Sequence, residues 1–349
     1  MSQQLTHPRI VSVCPLAAVA GGRVDIFGTD VGWDGDQMPE VRIGGQRALV
    51  TYADRDRVSC IVPDVVGGST PIRLTTAPGE TAFVEVGVPI ATGVHQVDSP
   101  VITDDGTLFL TYSGSRGEEA PVSVFRLGRD GFTEPFVTDV KNPTSLAISP
   151  DGRLHVSSRL DGSVFSVDGD GKAERLVGEL GVACGLAFDE AGTLYVGDRS
   201  GTIFKVSPSG HVCEFASLEP SVAAFHLGMS PKGELFATAP TLSTRDAVYR
   251  IDKNGEVTTV LRGFGRPQGL AFDLQGRLHV VEALAGASGV FQLQADGEST
   301  RVIAGDALVG VVFDCCGGAV VVSGNTAYRF ERMPDECDVV YGESGTQRP

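Results

Sequence analysis

The fold is decided by the stretch Gly185–Val206, which reads GLAFDEAGTLYVGDRSGTIFKV. It contains an apolar run, a tight polar turn that ends in Gly192, and two further runs in which apolar and polar residues alternate. Alternating runs of this length, bounded by Gly and Asp, are typical of short β-strands. The stretch 269–293, GLAFDLQGRLHVVEALAGASGVFQL, repeats the same order closely. We therefore predict a repeated unit with an innermost strand, a turn, and a second and third strand, followed by an outermost strand.

The pattern recurs six times between Asp98 and Phe330. The turn glycines lie 46, 40, 41, 43 and 41 residues apart, at Gly106, Gly152, Gly192, Gly233, Gly276 and Gly317. A second column of turns keeps the same phase, at Asp130-Gly131, Asp170-Gly171, Ser209-Gly210, Asn254-Gly255 and Asp296-Gly297. A period near 40 with four short strands per unit is typical of a β-propeller. The sequence thus predicts an all-β protein with a six-bladed propeller.

The sixth repeat has only three predicted strands. They are Gly310–Asp314, Ala319–Val322 and Thr326–Phe330, and no fourth run follows. An open ring would expose two sheet edges, which is an aggregation hazard. The segment Val88–Thr92 precedes the first repeat, so we expect it to supply the missing outermost strand. The propeller is predicted at residues 88–331.

Residues 1–87 follow a different pattern. Short alternating runs are separated by turn residues, at Pro8–Pro15, Ala20–Gly28, Val41–Gly45, Val58–Pro63 and Pro71–Thr75. This pattern suits a small antiparallel immunoglobulin-like sandwich. For the C-terminal tail, residues 332–349, two alternatives stay open: disorder, or a course along the sandwich.

Both parts resemble known families. The recurring Gly-Leu-Ala-Phe-Asp, Gly-x-Leu-x-Val and Gly-x-Val/Ile-Phe-x-Val motifs look like the NHL repeat, and more broadly like gluconolactonase, regucalcin and strictosidine synthase, which are six-bladed propellers. The order of strands and turn glycines in residues 1–87 is similar to the IPT/TIG domain. The first resemblance implies a fold rather than an activity, because propellers host hydrolases, lyases and binding proteins alike.

The charge and composition of the chain disfavour two classes of binding partner. The 349 residues carry a formal net charge of −16, with a pI near 4.8. Nucleic acids and anionic membranes attract clustered Lys and Arg, so neither is an expected partner. The sequence contains no run of about 18 apolar residues and no signal-peptide pattern at its start, which favours a cytoplasmic protein. Export from a longer precursor remains the alternative.

The seven cysteines form no Cys-x-x-Cys pair. They are Cys14, Cys60, Cys184, Cys213, Cys315, Cys316 and Cys337. Neither a zinc site nor a thioredoxin-type motif is indicated. We expect Cys14 and Cys60 to be free thiols of a reducing compartment, while a disulfide between the adjacent Cys315 and Cys316 stays open.

The repeats separate structural positions from functional ones. His155 and His279 occupy a column that holds Phe109, Tyr195 and Phe236 elsewhere, so we expect both to pack between sheets. The stretch Asp168–Lys172 resembles the start of a calcium loop. Because it occupies a hairpin column and no Glu completes the loop, a turn is the better interpretation.

A metal site is not predicted. The resemblance to gluconolactonase implies Glu, Asn and Asp at the start of the innermost strands, where they hold a divalent cation. Eight residues before each turn glycine this chain has Asp98, Thr144, Cys184, Phe225, Gln268 and Val309. Asp98 is the one anionic ligand in that column, whereas calcium requires several oxygens. No dinucleotide fingerprint or phosphate loop occurs, so no cofactor is expected.

The ligand site is predicted where two sets of loops meet at one face of the ring. One set leads into the innermost strands and the other joins second to third strands. Their candidate ligand-binding residues are Asp98, Tyr112, Asn142, Arg159, Cys184, Asp198, Arg199, His226, Arg266, Gln268 and Glu282, with Asn325 on the last loop. Cys184, His226 and Asp98 are the candidates for acid–base or nucleophilic chemistry.

Two functions stay open. The first is a recognition protein that binds a protein, peptide or small ligand at this face and is oriented by the N-terminal sandwich. The second is a lactonase- or esterase-type hydrolase, or a lyase, with a remodelled pocket that holds no metal. The missing carboxylates favour the first.

Overall fold

The computed structural model describes residues 7–32, 38–114, 120–284, 286, 288–294 and 297–334. The chain divides into two compact units, one of residues 1–88, 302–305 and 334–349 and one of residues 89–301 and 306–333. Every regular element of the described residues is a β-strand, and this part of the chain has no helix that could cross a membrane. Asp296 of the fifth predicted hairpin turn, Cys337 and most of the predicted tail (335–349) lie outside the described residues.

The first unit has eight strands around one core. They are β1 (Arg9–Cys14), β2 (Ala17–Ala18), β3 (Arg23–Thr29), β4 (Val41–Ile43), β5 (Gln46–Ala53), β6 (Arg57–Ile61), β7 (Gly68–Leu74) and β8 (Ala82–Val86). β5 pairs with β4 through its first residues and with β6 through its last, so it joins the β1-β3-β6 set to the β4-β7-β8 set. Buried Val24 and Ile26 of the first set and Ile43 and Ile72 of the second share the core.

The second unit contains the repeats, and its strands follow in order. They are β9 (Val88–Thr92), β10 (Val101–Ile102), β11 (Leu108–Thr111), β12 (Val124–Leu127), β13 (Thr133–Val137), β14 (Pro143–Ile148), β15 (Leu154–Ser158), β16 (Ser163–Val167), β17 (Ala173–Val177), β18 (Ala183–Phe188), β19 (Leu194–Asp198), β20 (Thr202–Val206), β21 (Val212–Ser217), β22 (His226–Met229), β23 (Leu235–Thr238), β24 (Asp246–Ile251), β25 (Val257–Phe264), β26 (Pro267–Phe272), β27 (Leu278–Glu282), β28 (Gly289–Leu293), β29 (Ser299–Ala304), β30 (Leu308–Phe313), β31 (Ala319–Ser323) and β32 (Thr326–Phe330).

These strands form a β-propeller with five separate four-stranded blades, β10–β13, β14–β17, β18–β21, β22–β25, and β30-β31-β32 with β9. The prediction that Val88–Thr92 completes the last repeat is confirmed, since β9 follows β32 in that sheet. The predicted sixth blade is not confirmed as a separate sheet among the described strands. The strands of the fifth repeat do not form a sheet of their own, because the end of β29 groups with the first unit, where Ile303 and Ala304 pair with Ala17 and Ala18 of β2.

Each repeat is set by its first turn. In the third repeat the Asp189 carboxylate accepts the backbone N–H groups of Ala191 and Thr193. Gly192 adopts a φ of +79° there, a conformation that L side chains rarely tolerate. The hairpin interpretation of Asp168–Lys172 is confirmed in the same way, because Asp168 accepts the N–H groups of Asp170 and Lys172.

Aromatic and histidine rings fill the spaces between neighbouring repeats. His155 is 5% exposed and stacks on Phe188 of the next repeat, with ring centroids 4.7 Å apart. His279 is 3% exposed and stacks on Phe313 at 4.5 Å. The prediction that both histidines pack between sheets is confirmed.

Innermost strands approach one another closely. A Cβ atom added to Gly185 would lie 2.7 Å from the carbonyl oxygen of Phe225, and one added to Gly310 would lie 2.4 Å from the Cα of Ser99. Because real Cβ contacts are longer than 3 Å, these positions accept only small residues. Neighbouring innermost strands are therefore closely packed against each other at this level.

Candidate functional site

The chain direction puts two sets of loops on one face of the propeller. Successive strands of a blade are antiparallel, so the connection from second to third strand and the connection into each innermost strand emerge on the same side. We call this side the channel face. The turns that carry the repeat glycines lie on the opposite side, which we call the turn face.

A buried hydrogen bond joins two repeats beneath the channel face. His226, at the start of β22, directs Nδ1 to Oδ1 of Asp98 at 2.7 Å. The two residues are 0% and 5% exposed. Asp98 also accepts the N–H of Ser99 at 2.7 Å. The aspartate therefore holds the imidazole with its proton on Nδ1, which leaves Nε2 as the acceptor in the neutral ring.

The other ring nitrogen of His226 lacks a partner among the described residues. Nε2 is buried and has no hydrogen bond. A buried polar nitrogen is normally satisfied, so this atom requires a water molecule or a ligand group. A neutral imidazole oriented by a carboxylate is also the arrangement of a general base.

The repeats explain why His226 lies there. It stands seven residues before its turn glycine, where the other repeats have Ser99, Ser145, Gly185, Gly269 and Gly310. These small residues permit the close approach of the innermost strands described above. His226 is the large residue in this column, and its ring bonds to the first repeat.

Cys184 lies in the same buried region. Its side chain is 1% exposed, and its Sγ is 3.2 Å from the carbonyl oxygen of Val182. Burial raises the pKa of the thiol to about 11, with the carboxylates of Asp98 and Asp198 adding to the rise and the Phe225 backbone and Arg159 opposing it. The sulfur is thus a neutral thiol near pH 7, which disfavours it as a nucleophile.

Two predicted carboxylates stabilise loops. Asp198 accepts the N–H of Val182 at 2.7 Å. Glu282 accepts the N–H groups of Gly265, Arg266 and Leu284 at 2.6, 2.9 and 2.7 Å. Both side chains are buried. The second oxygen of Asp198 accepts a hydrogen bond from the Ser200 hydroxyl. Both carboxylates are therefore occupied by groups of the channel-face loops, and this is a structural role.

Three other predicted site residues differ in their solvent exposure. Gln268 is buried, whereas Tyr112 and Asn142 are half-buried. Tyr112 lies edge-on between His95 and Phe125, with centroids 6.2 and 6.0 Å away. Asn325, on the last loop, is exposed.

Sequence analysis missed Gln96 and His95. Gln96 is 2% exposed, donates Nε2–H to the carbonyl oxygen of Asp98 at 2.8 Å and accepts the N–H of Thr111 at 2.8 Å. It therefore fixes the backbone that carries Asp98. His95 is half-buried, and its Nδ1 has no partner in the described part of the chain. Both residues stand close to Asp98 in the loop that leads into the first innermost strand, and this position could have identified them from the sequence.

The exposed part of the predicted site is cationic. Arg159 and Arg199 directly follow the second strands β15 and β19, and Arg266 directly precedes the innermost strand β26. All three are exposed, and they form no ion pair with any described residue. By contrast, four other arginines of the propeller pair with carboxylates, in Arg126–Glu134, Arg153–Asp151, Arg250–Glu234 and Arg277–Asp273.

Acidic residues of the same face lie farther out. Asp139, Glu179 and Glu219 each stand two residues after the end of an outermost strand, β13, β17 and β21. The three arginines stand beside inner strands. The three exposed arginines therefore lie nearer the axis than these three exposed acidic residues.

Apolar side chains are exposed beside the arginines. Leu160, Leu242 and Leu284 are 60%, 91% and 48% exposed on the loops from second to third strands. Val222, on the loop that leads into β22, is 43% exposed. All four lie on loops of the channel face.

The donor set of the face does not suit a hard cation. No group of three or more His, Cys, Asp or Glu within the described residues could hold a metal ion. Asp98 is engaged by His226 and Ser99, and Asp198 and Glu282 by loop N–H groups. Calcium requires six or more oxygen ligands.

Comparison with known proteins agrees with this architecture. Residues 8–85 match the family model of the IPT/TIG domain. A solved structure described as an auxiliary nutrient binding protein from Bacteroides thetaiotaomicron is 12% identical, covers 94% of this chain and 98% of its own, and has a TM-score of 0.57. A gluconolactonase from Xanthomonas campestris is 16% identical, covers 69% and 88%, and has a TM-score of 0.59. These identities show the fold alone. No curated protein matches the sequence.

Proposed function

We propose that this chain is a recognition protein whose channel face binds a ligand that carries a carboxylate or similar anion together with an apolar group. The observation that carries the proposal is the set of three exposed arginines without ion pairs, Arg159, Arg199 and Arg266, on a protein of net charge −16. Arginine forms bidentate hydrogen bonds with carboxylates. The exposed leucines beside them supply an apolar contact.

The buried layer beneath the arginines supports binding more than catalysis. His226 is fully buried, and the Cys184 thiol has a pKa raised to about 11. The carboxylates near the axis are held by backbone N–H groups or by His226. This layer braces the loops that carry the arginines. Some proteins of similar fold are described as auxiliary nutrient binding proteins, which is compatible with a ligand-binding role.

Binding can be tested with simple probes. We expect hexanoate and phenylacetate to bind in isothermal titration calorimetry and their neutral amides to bind about tenfold more weakly, as for a lost charge-assisted hydrogen-bonded pair. Arg159→Gln, Arg199→Gln and Arg266→Gln should each reduce carboxylate affinity. The matched control is Arg250→Gln, because that arginine is paired with Glu234 away from the loops. Equal binding of acids and amides would reject the proposal.

A metal-free hydrolase or lyase is the second candidate, and the unpartnered Nε2 of His226 favours it. Here His226, oriented by Asp98, would act as the general base. An ester and lactone panel tests it. Turnover that is lost in His226→Gln and retained in Cys184→Ala would support this candidate. Absence of turnover would leave ligand recognition as the proposed function.

For the architecture, we propose that β26–β29 act as the sixth blade and that the first unit is an immunoglobulin-like sandwich. β26 and β27 pair in the same antiparallel manner as β14 and β15. Phe272 of β26 packs on Phe236 at 5.2 Å, just as His279 of β27 packs on Phe313. The spacing of the glycines supports six repeats. A crystal structure in which β26–β28 do not pack between β22–β25 and β30–β32 would contradict the sixth blade.

A further inference from the structure

The turn face carries one exposed aromatic residue that departs from the repeat. Phe132 follows the hairpin turn Asp130-Gly131, where the other repeats place Lys172, His211, Glu256 and Glu298. Its side chain is 66% exposed. Folding does not require an apolar residue at this position, because four repeats form the turn with a polar one.

Phe132 lines a cavity between the first and second repeats. The cavity has a volume of about 530 Å³, within the usual range of about 300–1,000 Å³ for small-molecule sites. Phe109, Phe136, Ile148 and Leu154 form its apolar walls. It lies on the side of the ring opposite the channel face, so it is a different site from the one proposed above.

The aromatic wall is held in place. The rings of Phe109 and Phe136 lie 5.2 Å apart, and the Arg126 guanidinium covers Phe136 at 4.7 Å. Arg126 is also hydrogen-bonded to Glu134, with Nε 2.8 Å from the carboxylate. No cation or aromatic ring among the described residues covers Phe132, which is 66% exposed, so its ring is accessible to a ligand.

Once its two arginines are paired, the cavity keeps a negative charge. Asp105, Asp130, Glu134 and Asp168 line it together with Arg126 and Arg153. Arg126 is paired with Glu134, and Arg153 with Asp151, at 3.5 Å. Asp105, Asp130 and Asp168 each use Oδ1 for the N–H groups of their own turns, and no bond to the second oxygen of Asp130 or Asp168 occurs among the described residues.

The Asp105 carboxylate is charged at neutral pH. Hydrogen bonds from Thr103 and Thr107 hold the pKa of Asp105 below its usual value, and Arg129 contributes from the other side of the turn. Arg129 thus offsets part of the charge of Asp105. Asp130 and Asp168 have no ion-pair partner among the described residues.

The next groove along the ring lacks the exposed phenylalanine at a hairpin tip. It lies between the second and third repeats, has a volume of about 420 Å³, and is lined by Pro150, Leu176 and Pro208. In the second repeat, Lys172 stands where the first repeat has Phe132. The acidic residues that line this groove are Asp151, which is paired with Arg153, and Glu190. Of these two grooves, the first is the one in which a largely exposed phenylalanine at a hairpin tip stands beside Asp130 and Asp168.

We propose that this cavity, which we call the Phe132 cavity, binds a small organic cation with an apolar body, such as an alkyl- or arylammonium compound. The ring of Phe132 would contact the cation through its π face. Asp130 and Asp168 would contribute the opposite charge, and Phe109, Ile148 and Leu154 would contact the apolar body. The overall charge of −16 attracts cations from solution.

The test uses the full chain with choline and benzyltrimethylammonium as probes. Isothermal titration calorimetry should show that both bind, and that 3,3-dimethylbutanol, the neutral isostere of choline, binds about tenfold more weakly. Phe132→Lys introduces the residue that the second repeat has at this position. This variant should bind both cations about tenfold more weakly. Asp130→Asn with Asp168→Asn should weaken cation binding similarly and should reduce its salt dependence.

Two matched controls are available on the same face. Leu274→Lys replaces an apolar side chain that is 57% exposed on another turn, and Asp252→Asn alters an equivalent hairpin carboxylate of the fourth repeat. Both should leave cation affinity within about twofold of the unaltered protein. Absence of cation binding, equal binding of the neutral isostere, or an equal loss in the controls would overturn the proposal. Arg266→Gln should not change cation binding, so this result is independent of the channel face.

Discussion

The Nδ1 atom of His226 lies 2.7 Å from Oδ1 of Asp98, although the two residues are 128 positions apart in the chain. This bond ties the fourth repeat to the first beneath the channel face. His226→Ala should therefore leave a buried carboxylate without its main partner and lower the free energy of unfolding by about 3 kcal/mol. His226→Gln, whose amide can still donate to Asp98, should lose less than half of that. Urea unfolding of the three proteins measures the effect, and a loss below about 0.5 kcal/mol in His226→Ala would show that the bond is not stabilising.

Burial separates the thiols into two classes. Desolvation raises the pKa of Cys60 to about 12 and that of Cys184 to about 11. Cys213, Cys315 and Cys316 are exposed, and the two vicinal sulfurs are 3.7 Å apart and not bonded. Iodoacetamide at pH 8 should label the exposed cysteines within minutes and spare Cys60 and Cys184 until the protein unfolds. Rapid labelling of Cys184 in the folded protein, detected by peptide mass spectrometry, would contradict this account of the site.

Acid should destabilise the propeller through His279. Burial lowers the pKa of this histidine from 6.5 to about 4, and Asp273 opposes the shift only in part. Between these values the unfolded chain binds a proton that the folded chain excludes, so stability is complete above pH 6.5 and falls as the pH drops toward 4. The loss amounts to about 3 kcal/mol.

The repeats offer a matched replacement for that test. His279→Phe introduces the residue found at this position in the first and fourth repeats. The variant should lose less stability than the unaltered protein between pH 6.5 and pH 4.5 in urea unfolding. An unchanged pH dependence would show that another group controls acid sensitivity, with His155, whose pKa is also lowered by burial, as the first alternative.

Calcium should not bind tightly at the channel face. Asp98 is held by His226 and by the N–H of Ser99, while the oxygens of Glu282 are occupied by three backbone N–H groups. We expect no sub-millimolar calcium binding in calorimetry. Tight binding that is abolished by Asp98→Asn would revive a metal-dependent lactonase.

Sequence reasoning was most successful where the pattern is local. The turn glycines and alternating runs predicted the strands and the closing strand Val88–Thr92, because each depends on neighbouring residues. A sixth separate blade was not confirmed because Ile303 and Ala304 pair with β2, a long-range partner that periodicity does not encode. His155 and His279 were placed correctly, since column membership reports packing.

The candidate site was predicted less completely. The loops were identified, but the sequence could not show that His226 bonds to Asp98 or that Asp198 and Glu282 face backbone N–H groups, because side-chain direction depends on tertiary structure. The Phe132 cavity is a feature that the sequence alone could have indicated. Phe132 breaks its column in the sequence, so the signal was present and was not used.

The central claim is that the arginines of the channel face bind an anionic ligand. The most direct measurement is the affinity of phenylacetate for the unaltered protein and for the triple variant Arg159→Gln, Arg199→Gln, Arg266→Gln, by isothermal titration calorimetry at low and high salt. We predict that the unaltered protein binds phenylacetate, that binding weakens as salt rises, and that the triple variant loses at least tenfold in affinity while Arg250→Gln does not. Binding that is equal in the unaltered protein and the triple variant, or no binding at all, would contradict the account.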